Sequence, residues 1–230
     1  MGLIGGAATT FLPRSRNRHK LLLCPLRIRV IFVIRLFVYS HSLINPESVN
    51  QKLQKSMNST LSVRLAAPKD FEIIGKLMVE VYAKIEGFPT QEEQPKYYET
   101  LANVGEMTQD PGTEVLVAVY NKEIVGGVVY IGDMKYYRAK SSARQEENAV
   151  GIRFLAVRGD MGGKGIGRAL TVACIQRAKE EGRSKVILHT TEHMQVAWKM
   201  YEKMGFARRA EFDFMPGEMK VFGFQLFLDF

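Results

Sequence analysis

The stretch VGIRFLAVRGDMGGKGIGRALTVACIQRAKEEG, Val150 to Gly182, constrains this chain more than any other, because Gly162, Gly163, Gly165 and Gly167 fall within six residues of it. It reads as a buried strand (Val150–Val157), a glycine-rich turn (Gly159–Gly167) and an amphipathic helix ending at Gly182. Removing four β-carbons from one tight turn lets backbone N–H groups come close to a ligand. The helix that starts there adds unpaired N–H groups carrying roughly half a positive charge. Such a turn is a ready phosphate site. As a bare connection it would raise unfolded-state entropy with no local return. Beyond it, Leu170, Ala173 and Cys174 recur at helical spacing, as a face packed on a sheet requires, and Gly182 stands where helices usually stop.

Two familiar phosphate-binding patterns do not fit. A P-loop needs four residues between its first glycine and its Gly-Lys pair, then Ser or Thr. Counting back from Gly163-Lys164 lands on Arg158, and Gly165 follows the lysine. A dinucleotide fingerprint needs G-x-G-x-x-G or -A, and its last position falls on Arg168 or Leu170. LAVRGDMGGKGIGRAL instead resembles motif A of the GNAT superfamily of acyl-CoA N-acyltransferases. That motif usually runs Arg/Gln-x-x-Gly-x-Gly/Ala. Gly165 and Gly167 take its two small positions, and Gly162 stands at the Arg/Gln position, a departure that removes a side chain but leaves the backbone donors.

A second stretch supports the first. Ala197-Trp-Lys-Met-Tyr201-Glu-Lys-Met-Gly205-Phe206 resembles motif B of the same superfamily, with Met194 at its usual asparagine position. Ala197 and Tyr201 lie four apart, on one side of a helix that Gly205 ends. Alone, Tyr201 would read as an ordinary core aromatic. Two motifs in order, one strand apart, are far more specific than either.

The remaining body reads as mixed α/β. A strand at Leu61–Leu65 precedes a helix carrying Phe71, Ile74, Met78, Val81 and Ile85, with Pro68 and Asp70 at its start. A second helix is expected at about Lys96–Met107, and Asn121-Lys122 joins a hairpin of Val115–Tyr120 and Glu123–Ile131. Asp133–Asn148 reads as a long polar loop. A strand at Lys185–Thr190, a helix at about Gln195–Met204, and strands at Ala207–Phe214 and Met219–Asp229 complete the chain. This order is the one the resemblance implies: a GNAT fold, its central, mostly antiparallel sheet containing one splayed parallel strand pair and flanked by helices.

The net charge of +8 suggests a polyanion partner until it is mapped. Residues 1–56 hold nine Lys and Arg against one acid, leaving 23 basic and 23 acidic residues in 57–230. The body is neutral, so neither nucleic acid nor membrane is expected as a partner. Residues 1–56 read as a basic extension, disordered or not native, with translation starting at Met57 as one hypothesis and a transit or membrane-surface peptide as another. Its apolar stretch is broken by Arg27, Arg29 and Arg35, which speaks against a spanning helix. Residues 57–230 form the acetyltransferase domain. With only Cys24 and Cys174, no disulfide framework is indicated, and a cytoplasmic location is the expectation.

Carried over residue by residue, the resemblance implies acetyl-CoA as co-substrate. Leu155, Ala156 and Val157 would face the pantetheine arm and acyl carbonyl. Gly162, Gly163, Lys164, Gly165, Ile166, Gly167 and Arg168 would hold the pyrophosphate, and Tyr201 would protonate the departing thiolate. An unperturbed phenol pKa near 10 suits that task. Glu86, Glu146 and Glu147 are candidate general bases, but each reads first as a solvated surface charge, and none is assigned. Glu86, Glu92, Glu93 and Glu99 on the acceptor side would suit a cationic substrate. His189-Thr-Thr-Glu192-His193 satisfies H-x-x-E-H, a zinc signature when helical. Here it runs from strand into loop, so no metal is expected, and both histidines are placed on the acceptor side. The expected activity is acetyl transfer to a primary amine of a small molecule or peptide, and a homodimer is compatible with it. The other reading is a non-catalytic module that binds acyl-CoA.

Overall fold

Alternating apolar residues, punctuated by turns, build a seven-stranded sheet with helices on both faces in the computed structural model, which describes residues 61–229. The basic extension 1–56 and the proposed start at Met57 lie outside the described residues. Strand β1 (Leu61–Leu65) leads through a short 3-10 turn at Pro68–Asp70 into helix α1 (Phe71–Ala83), and α2 (Pro95–Ala102) follows. Strands β2 (Thr113–Tyr120) and β3 (Glu123–Ile131) form the hairpin. Asn121 and Lys122 both take positive φ, 51° and 69°, as the tightest turns between twisted strands require. Then come β4 (Ala149–Val157), α3 (Ile166–Glu180), β5 (Lys185–Thr191), α4 (Gln195–Lys203), β6 (Ala207–Arg208) and β7 (Val221–Phe227).

The strand order is β1-β2-β3-β4-β5-β7-β6, and only the β4–β5 pair is parallel. That pair is short. Its register runs from Ala149↔Lys185 to Ile152↔Leu188 and stops, whereas β5 continues against β7 to Thr191↔Val221. From Arg153 onward β4 therefore has no partner on its β5 side, and the sheet opens there. On its other side β4 carries one extra residue against β3 in this stretch, between the pairs Val129↔Arg153 and Gly127↔Ala156. Phe154 adopts φ 53° inside this bulge, a conformation a bulky residue seldom takes.

Each face of the sheet has its own core. Ile74, Leu77, Met78 and Tyr82 of α1 pack on Val117, Val129 and Ile187. On the opposite face Ile166, Leu170, Cys174 and Ala178, four apart along α3, pack on Val128, Val150 and Leu188. Each fully buried aliphatic side chain of this kind contributes about 1.5–3 kcal/mol. The α3 helix stops at Gly182 as its sequence predicts. Gly182 takes φ 68°, and the N–H of Arg183 closes back on the carbonyl of Ala178 at 2.9 Å.

The structure differs from the sequence reading in three stretches. The second helix breaks after Ala102, and a 3-10 segment at Val104–Gln109 continues it. Asp133–Asn148 is no simple solvated loop, since two 3-10 turns tuck Met134, Tyr137, Ala139 and Ala143 into the core. The strand expected over Ala207–Phe214 lasts two residues. A carboxylate replaces the ladder there: Asp213 accepts the Gly223 N–H at 2.9 Å, and Phe212 turns inward under Gly223.

Candidate active site

The chain leaving β4 makes a 3-10 turn at Gly159–Met161, then passes through Gly163 (φ 74°) and Gly165 (φ 76°) into α3. Only glycine adopts that backbone twice without strain. Met161 and Gly162 donate their N–H groups to Arg158 and Gly159, and Ala169 donates to Gly165. Between them, the six consecutive N–H groups from Gly163 to Arg168 meet no acceptor among the described residues. Gly162 through Gly165 are exposed. Lys164 and Arg168 form no ion pair among the described residues, while Arg158 is neutralised by Asp160 and Glu123. Six unpaired donors, two cations and a helix N-terminus make a strong anion cradle.

The sequence-predicted residues come together around it. A β-carbon at Gly167 would lie 3.5 Å from Met200 Sδ and 3.7 Å from side-chain carbons of Leu155 and Val157. The start of α3, the end of β4 and the middle of α4 thus meet at one point. Tyr201, next to Met200, is 4% exposed and lies in the same core as Ile166 and Leu170, on the α3 side of the sheet. Its hydroxyl has no hydrogen-bond partner among the described residues. Burial pushes its pKa well above the ordinary phenol value, and the Cys174 thiol and Tyr137 phenol act the same way. This alters the role expected from an unperturbed phenol. Tyr201 keeps its proton and can offer a hydrogen bond, but giving that proton away outright would leave a phenolate in apolar surroundings.

Tyr201 also raises the pKa of Tyr82, a residue of the α1 face, and is itself raised by Tyr137. Tyr82 and Tyr137 belong to the core on the α1 face and Tyr201 to the core on the α3 face of the sheet, which opens between β4 and β5. On the α1 side of that opening lies a cavity of about 230 Å³, lined by Tyr82, Tyr97, Tyr137, Phe154 and Phe214 among others. Ring centroids 5.6–5.9 Å apart tie Tyr82, Phe88, Tyr97 and Phe154 into one aromatic wall. At its floor the Tyr137 hydroxyl and Nδ1 of His189 are 2.8 Å apart, and Nε2 of His189 lies 2.9 Å from the Phe212 carbonyl oxygen. A carbonyl can only accept, so Nε2 carries the proton and Tyr137 donates to Nδ1. Burial above all, helped by the Arg153 and Arg208 charges and opposed by the Phe212 carbonyl and Asp213, lowers the imidazole to about pKa 4.

Other sequence candidates sit elsewhere. His193 packs on Gly87, outside the cavity lining, and both nitrogens of His189 are engaged. Glu146 pairs with Lys185 at 2.5 Å, Glu93 accepts the Thr90 N–H at 2.7 Å, and Glu86, Glu92 and Glu99 are exposed. Among the described residues no Asp or Glu lines the cavity, and its charged lining is Arg138, Lys140 and Arg153. The expected fit to a cationic acceptor therefore has no support in the side chains that line it. Tyr137 and Arg153 were not singled out from the sequence. Arg153 did leave a trace there, as a charge inside an otherwise apolar strand.

Residues 76–206 match the family described as Acetyltransferase (GNAT), a span that contains the turn, the opening and Tyr201. An N-acetylaspartate synthetase of Danio rerio is 34% identical over 95 residues, which make up 41% of this chain and 30% of that protein. The match thus spans less than a third of that curated relative. Among solved structures, an acetyltransferase of the GNAT family from Staphylococcus aureus superposes with TM-score 0.55 at 16% identity, covering 74% of this chain and 100% of that one. The PaiA N-acetyltransferase of Thermoplasma acidophilum, in complex with coenzyme A, gives TM-score 0.55 at 14% identity over 71% of this chain and 98% of that one. Among the described residues no helix is long and apolar enough to cross a membrane.

Proposed function

This chain belongs to the acetyltransferase (GNAT) family, and from that premise we propose that it transfers an acetyl group from acetyl-CoA to a primary amine by direct attack. The observation that carries the reading is the row of six unpaired amides, Gly163 to Arg168, opening beside the gap between β4 and β5. The residues present fit a diphosphate-bearing acyl donor: main-chain donors and two unpaired cations at one end, a free strand edge at the other. When bound, acetyl-CoA supplies the activated acyl carbon, which the amine nitrogen attacks as the carbon–sulfur bond breaks and a proton passes from nitrogen to sulfur.

The amides of Gly163–Arg168, with Lys164 and Arg168, hold the diphosphate. The unpaired edge of β4 at Leu155, Ala156 and Val157 aligns the arm. Tyr201 donates a hydrogen bond to the sulfur, offsetting charge that gathers there as the bond breaks. The aromatic cavity receives the acceptor and shields the amine from water. Two names among the similar proteins, an N-acetylaspartate synthetase and a coenzyme A complex, support this reading.

The test is coenzyme A release from acetyl-CoA across polyamines, amino acids, aminoglycosides and peptide N-termini. Tyr201→Phe should lower turnover at least about tenfold with coenzyme A affinity nearly unchanged. Equal turnover would remove Tyr201 from the chemistry. Acetyl-CoA binding with no turnover on any amine would leave a binding module in place of an enzyme.

A further inference from the structure

Resting on the acyl-transfer reading, we infer that the acceptor is an amine carrying a carboxylate and an apolar body, such as a hydrophobic α-amino acid, with Arg153 as the residue that selects the carboxylate. Arg153 is half-buried and lines the cavity, yet no Asp or Glu pairs with it among the described residues. One of its N–H groups reaches the Tyr137 carbonyl at 3.0 Å. Its guanidinium carbon sits 4.5 Å over the Phe154 ring and 5.8 Å from that of Tyr137. The group is held in place by stacking and one hydrogen bond, which leaves further donors of its planar fork for a ligand.

A guanidinium out of bulk water without a counter-charge is costly to keep. Burial raises the pKa of Tyr82, Tyr97 and Tyr137 and lowers that of His189; the Arg153 charge bears on all four, opposing the rise of the phenols and adding to the fall of the imidazole. Of the other two cations, Arg138 is engaged by Asp110 at 2.6 Å. Lys140 is exposed and forms no ion pair among the described residues, so it adds positive charge at the mouth. Among the described residues no carboxylate lines the cavity to welcome a polyamine.

A second observation concerns the amine end. Thr191, 3% exposed and on the same face of β5 as Ile187 and His189, lines the cavity, and its hydroxyl has no hydrogen-bond partner among the described residues. Buried hydroxyls are normally satisfied. A hydroxyl oxygen can accept from an amine N–H, as an orienting contact beside the strand opening. The remaining wall is aromatic and apolar, and about 230 Å³ suits a body of amino-acid size.

The test pairs each amine with its neutralised counterpart: phenylalanine against phenylalaninamide and phenethylamine, with acetyl-CoA as donor. The expected result is a kcat/KM for phenylalanine roughly 10- to 100-fold above both counterparts. Arg153→Gln should erase that preference mainly through the KM for phenylalanine, with coenzyme A affinity retained and a much smaller loss on phenethylamine, and Arg153→Lys should restore part of it. Equal wild-type rates on all three, or an Arg153→Gln loss shared equally by all three, would overturn the proposal. A binding arm separates it from the acyl-transfer reading. Phenylalanine should raise the melting temperature of the wild type with coenzyme A present, and not that of Arg153→Gln. Binding without turnover would uphold the carboxylate site while overturning the enzyme, and no shift with phenylalanine would overturn the site.

Discussion

The two halves of this active site are made from different materials. The turn at Gly163–Arg168 is contiguous, its donors are main-chain amides freed by three glycines, and only Lys164 and Arg168 add side-chain charge. The cavity across the sheet is side chain throughout, gathered from α1, the α1–α2 connection, the segment before β4, β4 itself, β5 and the approach to β7. A diphosphate is common to every acyl-CoA, so amides that any sequence carries suffice to hold it, provided glycines free them. An acceptor amine varies from enzyme to enzyme, and discriminating it needs charge and shape that only side chains supply.

That contrast can be broken at several points, and the strongest test lies in the turn. Gly165→Val forces a β-branched residue into φ 76°, which should lower coenzyme A affinity roughly 10- to 100-fold by calorimetry and leave the fold intact. On the cavity side, Gly151→Ala would place a β-carbon 2.2 Å from Tyr137 Cδ2, so the wall must move. Acceptor kcat/KM should fall about tenfold and stability by about 1–3 kcal/mol, with coenzyme A affinity retained. If both variants harmed both ligands equally, the two halves would not be separable.

His189 tests the cavity through pH. Its folded-state pKa is lowered to about 4, so the unfolded chain takes up the proton first. Its stabilising effect is complete above about pH 6.5 and is lost as pH falls toward 4. Urea midpoints should therefore decline more steeply for the wild type than for His189→Gln over that window, by on the order of 2–3 kcal/mol. The smallest effect belongs to Gly162→Gln. Gly162 has φ −56°, and a β-carbon there would meet only the Gly159 oxygen at 3.4 Å, so coenzyme A affinity should change by no more than about twofold.

The same contrast explains what could be read from the residues alone. The turn, α3 with its Gly182 stop, and the Asn121-Lys122 hairpin were legible because each is encoded by neighbours in the chain. Tyr137 was not. It lies in a polar stretch whose buried residues, Met134, Tyr137, Ala139 and Ala143, follow no helical or strand period. Its partner His189 is 52 residues away, and only the fold makes them a pair. Tyr201 was found through its motif, but the upward shift of its phenol comes first from burial and then from Cys174 and Tyr137, none of which a local pattern reveals. The short β6 likewise depends on a distant contact, Asp213 with Gly223.

The parting of β4 from β5 after Ile152↔Leu188 leaves a seam of peptide groups that belongs to neither strand pair. An extended, amide-bearing molecule lying in that seam exchanges one set of hydrogen bonds for another, and each exchange is worth little, about 0.5–1.5 kcal/mol. The seam therefore works less as a clamp than as a ruler. Under the proposed function, a chain of fixed length anchored at the glycine turn would thread along it, and the graduations of β4 would decide where its far end comes to rest.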